Sequence, residues 1–364
     1  MSSVLSGVQE RRRHGAGTLA PTRIPFTIGG LGAAVPATRI SNHDLESQVA
    51  TTDQWIVERT GIRERRVVAT GQATSDLATA AGRAALADAG TSAAALDLVV
   101  VATCTPDQPL PATAAYVARD LDVRCAAFDL AAACSGWVYG LVTVASILTA
   151  TGGQGALLIG AEVLSQWMDP ADRGTLPLFG DAAAAAVLWP AAGRDGPGLV
   201  AWDLGIDGDG ADLLRVPGGG SRLPTTAASI AAGEHYMKMS GREVFRRAVR
   251  SVETSCQAVL DSSGVAPSDI ALFVPHQANA RIVEAILPRL DLSAEQTVMN
   301  IDRYGNTSSA SVPLALCEAA SMGRLADGDL VLLAGFGAGM TWASALIRWG
   351  YTGGGPGLPA VLPS

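Results

Sequence analysis

Cys134 has the most reactive setting of any residue in the chain. It lies in Phe128-Asp-Leu-Ala-Ala-Ala-Cys-Ser-Gly-Trp-Val-Tyr-Gly140, where an apolar strand turns through small residues into a helix expected over 136–149. A thiol at a helix N-terminus meets free backbone N–H groups and the positive end of the helix dipole, which favour its thiolate. The neighbouring alanines and glycine leave room for a substrate, so the segment predicts an activated nucleophile. Cys104, Cys125, Cys256 and Cys317 fall inside strand or helix patterns and read as small buried residues.

Two further residues have contexts that could serve such a nucleophile. His276 follows the apolar run Ile270–Val274 and Pro275, so its ring should emerge at the C-terminal edge of a strand, where catalytic groups often sit. Of the four histidines it is the one strong candidate, because His14 and His43 lie in polar surroundings. Asn306 stands after Gly305 and just before Thr307-Ser308-Ser309, and its amide could either cap the next helix or act in a site.

These groups need a scaffold, and the sequence points to an α/β fold. Strand candidates at Leu98–Ala102, Ala156–Gly160, Ile270–Val274 and Leu330–Ala334 alternate with alanine-rich helical stretches. A weak internal repeat runs through them, each copy being a helix that ends at a glycine, an aspartate, and then an apolar strand. Gly90, Asp97 and Leu98–Ala102 form one copy; Gly264, Asp269 and Ile270–Val274 form the other. Cys134 and Asn306 each open a helix at corresponding places. We therefore expect an extension over 1–23, one half over 24–197 carrying Cys134, a second over 198–350 carrying His276 and Asn306, and a flexible tail over 351–364.

Bulk properties narrow the function. The 364 residues are 48% hydrophobic and 16% charged, enough to bury a large core. A net charge of −8 argues against a nucleic-acid partner. No C-x-x-C pair, metal constellation or G-x-G-x-x-G turn occurs, so neither a metal nor a dinucleotide is expected. Arg11, Arg12 and Arg13 are not followed by the apolar run of a signal peptide, and a cytoplasmic location is expected. Leu330–Ile347 is uncharged, but Gly335, Gly337 and Gly339 interrupt it; two buried strands around a turn are expected there, and no membrane span.

Ala-Cys-Ser-Gly around Cys134, Val-Pro-His-Gln-Ala-Asn around His276 and Gly-Asn-Thr-Ser-Ser-Ala-Ser around Asn306 resemble the three motifs of 3-ketoacyl-acyl carrier protein synthase III. Thr52–Arg66, Asp172-Arg-Gly-Thr175, Phe179-Gly-Asp181 and Gly335–Trp342 match the same family in order, so the likeness covers about Ile24 to Arg348. It implies a thiolase-like fold: two pseudo-repeated βαβαβαββ halves in five α-β-α-β-α layers. It also implies a homodimer that takes acyl-CoA and malonyl-acyl carrier protein as substrates and needs no cofactor.

By this resemblance Cys134 accepts the acyl group, while His276 and Asn306 hold the carbonyl of the malonyl thioester as it loses CO2. The turn at Ala338, where the more familiar pattern has glycine, would help form an oxyanion hole. Trp55 and Arg173 would sandwich the CoA adenine, with Arg59 and Arg281 near its phosphates or on the carrier-protein path. Phe179 and Phe336 would line the acyl tunnel, and Leu110, often phenylalanine in the family, would close it from across a dimer interface. Arg242, Arg246 and Arg250 recur every four residues on a helix expected over 241–260; they are either a solvated stripe or a carrier-protein dock. Two rival functions stay open: an acyltransferase that passes the Cys134 acyl group to a hydroxyl or amine, and a non-catalytic partner subunit. The starter, and fatty-acid versus polyketide use, are not legible.

Overall fold

The computed structural model describes residues 23–193 and 195–363. The expected 1–23 extension therefore lies, except for Arg23, outside the described residues. The first half contributes β1 (Ile24–Pro36), a small ladder of β2 (Thr38–Ser41) with β3 (Glu64–Val67), then β4 (Leu98–Ala102), β5 (Ala126–Leu130), β6 (Ala156–Glu162) and β7 (Ala182–Pro190). The second contributes β8 (Gly198–Ile206), a short ladder of β9 (Leu214–Arg215) with β10 (Lys238–Met239), then β11 (Ile270–Pro275), β12 (Leu330–Gly337), β13 (Thr341–Arg348) and β14 (Ala360–Leu362).

The internal repeat is visible in the pairing. β1-β7-β6-β4 and β8-β13-β12-β11 run in the same order, each with two antiparallel junctions followed by a parallel one. The two sheets join through Ile24 and Pro25 of β1 against Leu199 and Gly198 of β8. As expected, Leu330–Ile347 forms a hairpin, β12 turning through Ala338–Met340 into β13.

Strand alternation generates the layers, since successive side chains face opposite ways. Leu98, Val100 and Leu158 point to a central layer with helices Gly136–Thr151 and Ser311–Ser321, joined from the other sheet by Val331 and Leu333. Val99, Val101, Leu157 and Ile159 face helices Thr74–Asp88 and Thr113–Asp120. Leu332, Ala334 and Phe336 face helices Gly241–Ser263 and Ala280–Leu290. The result is the five-layered α-β-α-β-α arrangement of the thiolase-like fold. Among the described residues, 133–151 is the helical stretch long and apolar enough to cross a membrane, but it is mostly buried between the sheets.

One expectation needs correction. The tail is not loose: Ala360, Val361 and Leu362 pair in parallel with Ala34, Val35 and Pro36, and the Tyr351 hydroxyl bonds Asp88. Glycine and proline content suggested freedom, whereas the open side of β1 offered backbone partners that composition does not reveal.

Candidate active site

Cys134 sits in a single 3-10 turn, Ala133–Ser135, between β5 and helix Gly136–Thr151. β12 of the other half crosses directly behind it. A side chain on Gly337 would come within 2.5 Å of the Cys134 backbone nitrogen, so glycine is required for the halves to meet at the nucleophile. Gly160 of β6 has the same role, since an added Cβ would lie 2.4 Å from the Ser309 carbonyl oxygen.

The thiol is 8% exposed, and burial pushes its pKa up to about 12; the Ser308 hydroxyl opposes the rise and the Glu162 carboxylate adds to it. Burial thus works against the thiolate that the helix terminus favours.

His276 emerges after β11 as expected, and its backbone N–H donates to the Ala334 carbonyl at 2.7 Å. Its ring is buried, and burial lowers its pKa to about 3, so the imidazole is neutral. Nδ1 lies 2.5 Å from Ser311 Oγ, which also accepts the Gln277 N–H at 3.3 Å. We assign the Ser311 proton to Nδ1. The ring proton then sits on Nε2, which has no protein partner.

Asn306 follows Gly305, whose φ of 65° sets the turn. The preceding residues are anchored by Glu318, which accepts from Arg303 at 2.7 Å and from the Tyr304 hydroxyl at 2.8 Å. Asn306 Oδ1 accepts the Ser308 N–H at 2.9 Å, which directs Nδ2 the other way. Cys134, His276 and Asn306 line one pocket of about 90 Å³ together with Phe179 and Phe336.

Behind the thiol a second cavity of about 250 Å³ extends between Phe179, Leu164, Trp167, Leu214, Met237 and Ala338, with Cys104 and Ser308 in its wall. Phe179 thus lines both spaces, whereas Phe336 lines only the outer one. Leu110 lines neither and is 82% exposed. Cys104 and Cys125, expected as small buried residues, are only partly buried; Cys104 lines this cavity and reaches Glu162. Trp167, Met237, Glu162 and Ser311 were missed. Glu162 left one trace, a charge directly after an apolar strand; the others lie in segments with no periodic signal.

Trp55, Arg59, Arg173 and Arg281 line neither space; Thr52 caps helix Asp53–Thr60, which carries Trp55 and Arg59. The Arg173 guanidinium lies over the Trp55 ring at 4.5 Å, with Arg59 5.6 Å from the same ring. Arg281 follows the Asn279 cap of the next helix and lies 5.9 Å from the Phe245 ring. Arg246 and Arg250 line a surface cleft of about 560 Å³ with Arg289, but Arg242 is not in its wall. Glu243 pairs with Arg246 at 2.7 Å and with Arg247 at 2.9 Å, so part of this basic stripe is neutralised within its own helix.

Two family models, 3-oxoacyl-[acyl-carrier-protein] synthase III over 128–208 and its C-terminal counterpart over 260–349, match the chain. A β-ketoacyl-[acyl-carrier-protein] synthase III from Symbiobacterium thermophilum is 50% identical over 327 residues, 90% of this chain and 98% of that one. The chain belongs to the 3-oxoacyl-[acyl-carrier-protein] synthase III family. It is an acyl-transferring condensing enzyme with the thiolase fold of that family. The synthase III structure from Pseudomonas aeruginosa superposes with a TM-score of 0.83 at 43% identity, covering 90% of this chain and 98% of that one. A priming β-ketosynthase from a polyketide biosynthetic pathway reaches the same TM-score at 33% identity, covering 92% and 99%.

Proposed function

We propose that this synthase III loads an acyl group from acyl-CoA onto Cys134 and condenses it with malonyl-acyl carrier protein, priming a fatty acid or a polyketide. The carrying observation is that a nucleophilic thiol, a neutral imidazole and a carboxamide share one buried pocket. In the first half-reaction the Cys134 sulfur bonds the acyl carbon, the CoA sulfur leaves, and the thiol proton passes to it. In the second, the malonyl C–CO2 bond breaks and its electron pair becomes an enolate. The Nε2–H of His276 and Nδ2–H of Asn306 donate to that oxygen, and neither is acidic enough to quench it. The enolate carbon then attacks the Cys134 thioester, the C–S bond to Cys134 breaks, and the departing thiolate takes a proton from solvent to restore the thiol.

An acyltransferase to hydroxyl or amine would need a base paired with a carboxylate, and His276 instead leans on Ser311. The cavity behind Cys134 suits the starter chain, and the Trp55–Arg173 pair suits the adenine. A homodimer accounts for the free edge of β5 with its half-buried Phe128, and for the exposed Leu110, which would reach the partner's cavity. Arg246 and Arg250 offer a local basic patch to an acidic carrier protein on an otherwise acidic chain.

The test is intact-protein mass after incubation with acyl-CoA thioesters of different lengths, followed by malonyl-carrier protein. An adduct on the wild type, none on Cys134→Ala, and its discharge as a 3-ketoacyl product with CO2 are expected. An adduct that persists with malonyl-carrier protein yet transfers to an alcohol or amine would overturn the condensing step.

A further inference from the structure

Glu162 closes β6 with no exposed surface, and the chemistry above does not use it. None of its partners is a cation. Its oxygens face the Thr105 hydroxyl at 2.8 Å, the Ser309 hydroxyl at 2.9 Å, the Ser308 hydroxyl at 3.0 Å, and the backbone nitrogen and thiol of Cys104, each at 3.2 Å. Every one of these groups can donate. Burial pushes the Glu162 pKa up, and this ring of hydroxyls with the Cys104 backbone N–H opposes the rise by donating to the ionised form.

Ser308 joins this carboxylate to both reacting groups. Its hydroxyl bonds Glu162, and Ser308 lines the same cavity as Cys134, whose pKa that hydroxyl lowers. Its backbone N–H holds Asn306 Oδ1. We propose that Glu162 is a positioning residue for condensation: its carboxylate fixes the Ser308 hydroxyl against the Cys134 thiol and, through the same serine, sets the plane of the Asn306 amide. This rests on the roles proposed above for Cys134 and Asn306.

The physical consequence is specific. The Ser308 hydroxyl by itself favours the Cys134 thiolate, but the carboxylate competes for its single proton, so removing the carboxylate frees Ser308 to donate to sulfur. The buried negative charge also disfavours the thiolate, consistent with its raising of the Cys134 pKa. The other titratable groups facing the thiol are Cys104 after β4 and His276 after β11, with Arg215 in the cavity wall and paired to Asp212 at 3.3 Å.

Two readouts on Glu162→Gln, with Glu162→Asp as the conservative variant, test this. The rate of Cys134 alkylation by iodoacetamide is followed by intact mass from neutral to alkaline pH, with Cys134→Ala as control. Decarboxylation of malonyl-carrier protein is measured separately. For Glu162→Gln the alkylation profile should move to lower pH by about one unit, making alkylation about tenfold faster at a given pH. Decarboxylation should fall at least as far, and Glu162→Asp should restore the profile in part. An unshifted profile in folded Glu162→Gln overturns the proposal. Should that variant not fold, Ser308→Ala decides: decarboxylation at the wild-type rate overturns it, and a loss supports it. A wild type that is alkylated but never acylated by any acyl-CoA refutes the functional reading instead.

Discussion

His276 Nδ1 and Ser311 Oγ stand 2.5 Å apart across the junction of β11 and helix Ser311–Ser321, and this contact determines which ring nitrogen faces the pocket. Ser311→Ala removes the partner that keeps the proton on Nε2. Malonyl-carrier protein decarboxylation should fall roughly 10- to 100-fold, as when outer partners of functional histidines are removed. Loading of Cys134 from acyl-CoA should be nearly unchanged, so separate assays of the two half-reactions check the assignment.

His276 also gives stability an acid limb. Its folded pKa of about 3 lies below the ordinary 6.5, so between those values the unfolded chain binds the extra proton. Stability is present above pH about 6.5 and is lost as pH falls toward 3. Asp181, which burial lifts from 3.8 to about 6, acts in the opposite sense across its own window. Thermal melts of His276→Asn and wild type should therefore differ in slope below neutrality, with the variant losing less stability on acidification.

Trp167 occupies the wall of the cavity behind Cys134. Trp167→Ala enlarges that space and should shift kcat/KM toward longer starters. A methylene accommodated or refused in an apolar pocket is worth about 10-fold or more. Competition between short and long acyl-CoA substrates measures it; an unchanged ratio would remove Trp167 from the acyl pocket.

The Arg173 guanidinium and Trp55 ring are 4.5 Å apart, too close to admit a base between them. The proposed adenine sandwich would need roughly 7 Å, two van der Waals gaps, so in that reading Arg173 would swing outward on binding. Trp55→Ala should raise KM for acyl-CoA several-fold, in line with stacking and cation–π energies of about 0.5–2 kcal/mol. KM for malonyl-carrier protein should not follow.

Arg246 and Arg250 share a cleft with Arg289, but Arg246 is already paired with Glu243. Charge reversal at Arg250 should therefore raise KM for malonyl-carrier protein more than reversal at Arg246, and added salt should shrink both effects. Steady-state kinetics at two ionic strengths check the ranking.

Much of the protein can be read along the chain because the signals are local. Periodicity and the glycine-aspartate-strand repeat exposed two similar halves, and a cysteine among small residues at a helix start, a histidine at a strand end and an asparagine after a glycine marked the groups that meet in one pocket. The hairpin within Leu330–Ile347 was legible for the same reason, since glycines interrupt an apolar run at one place.

Tertiary structure decided whatever depends on groups far apart in sequence. Burial of Cys134 where the other half packs against it raises the pKa of its thiol, in opposition to its helix terminus. Glu162 reaches Ser308 across 146 positions, and the terminal strand found its partner on β1, contacts that no local pattern encodes. Residue types and short spacings specify which groups can react. Desolvation and partner geometry, which exist only after the halves pack, set their protonation and orientation.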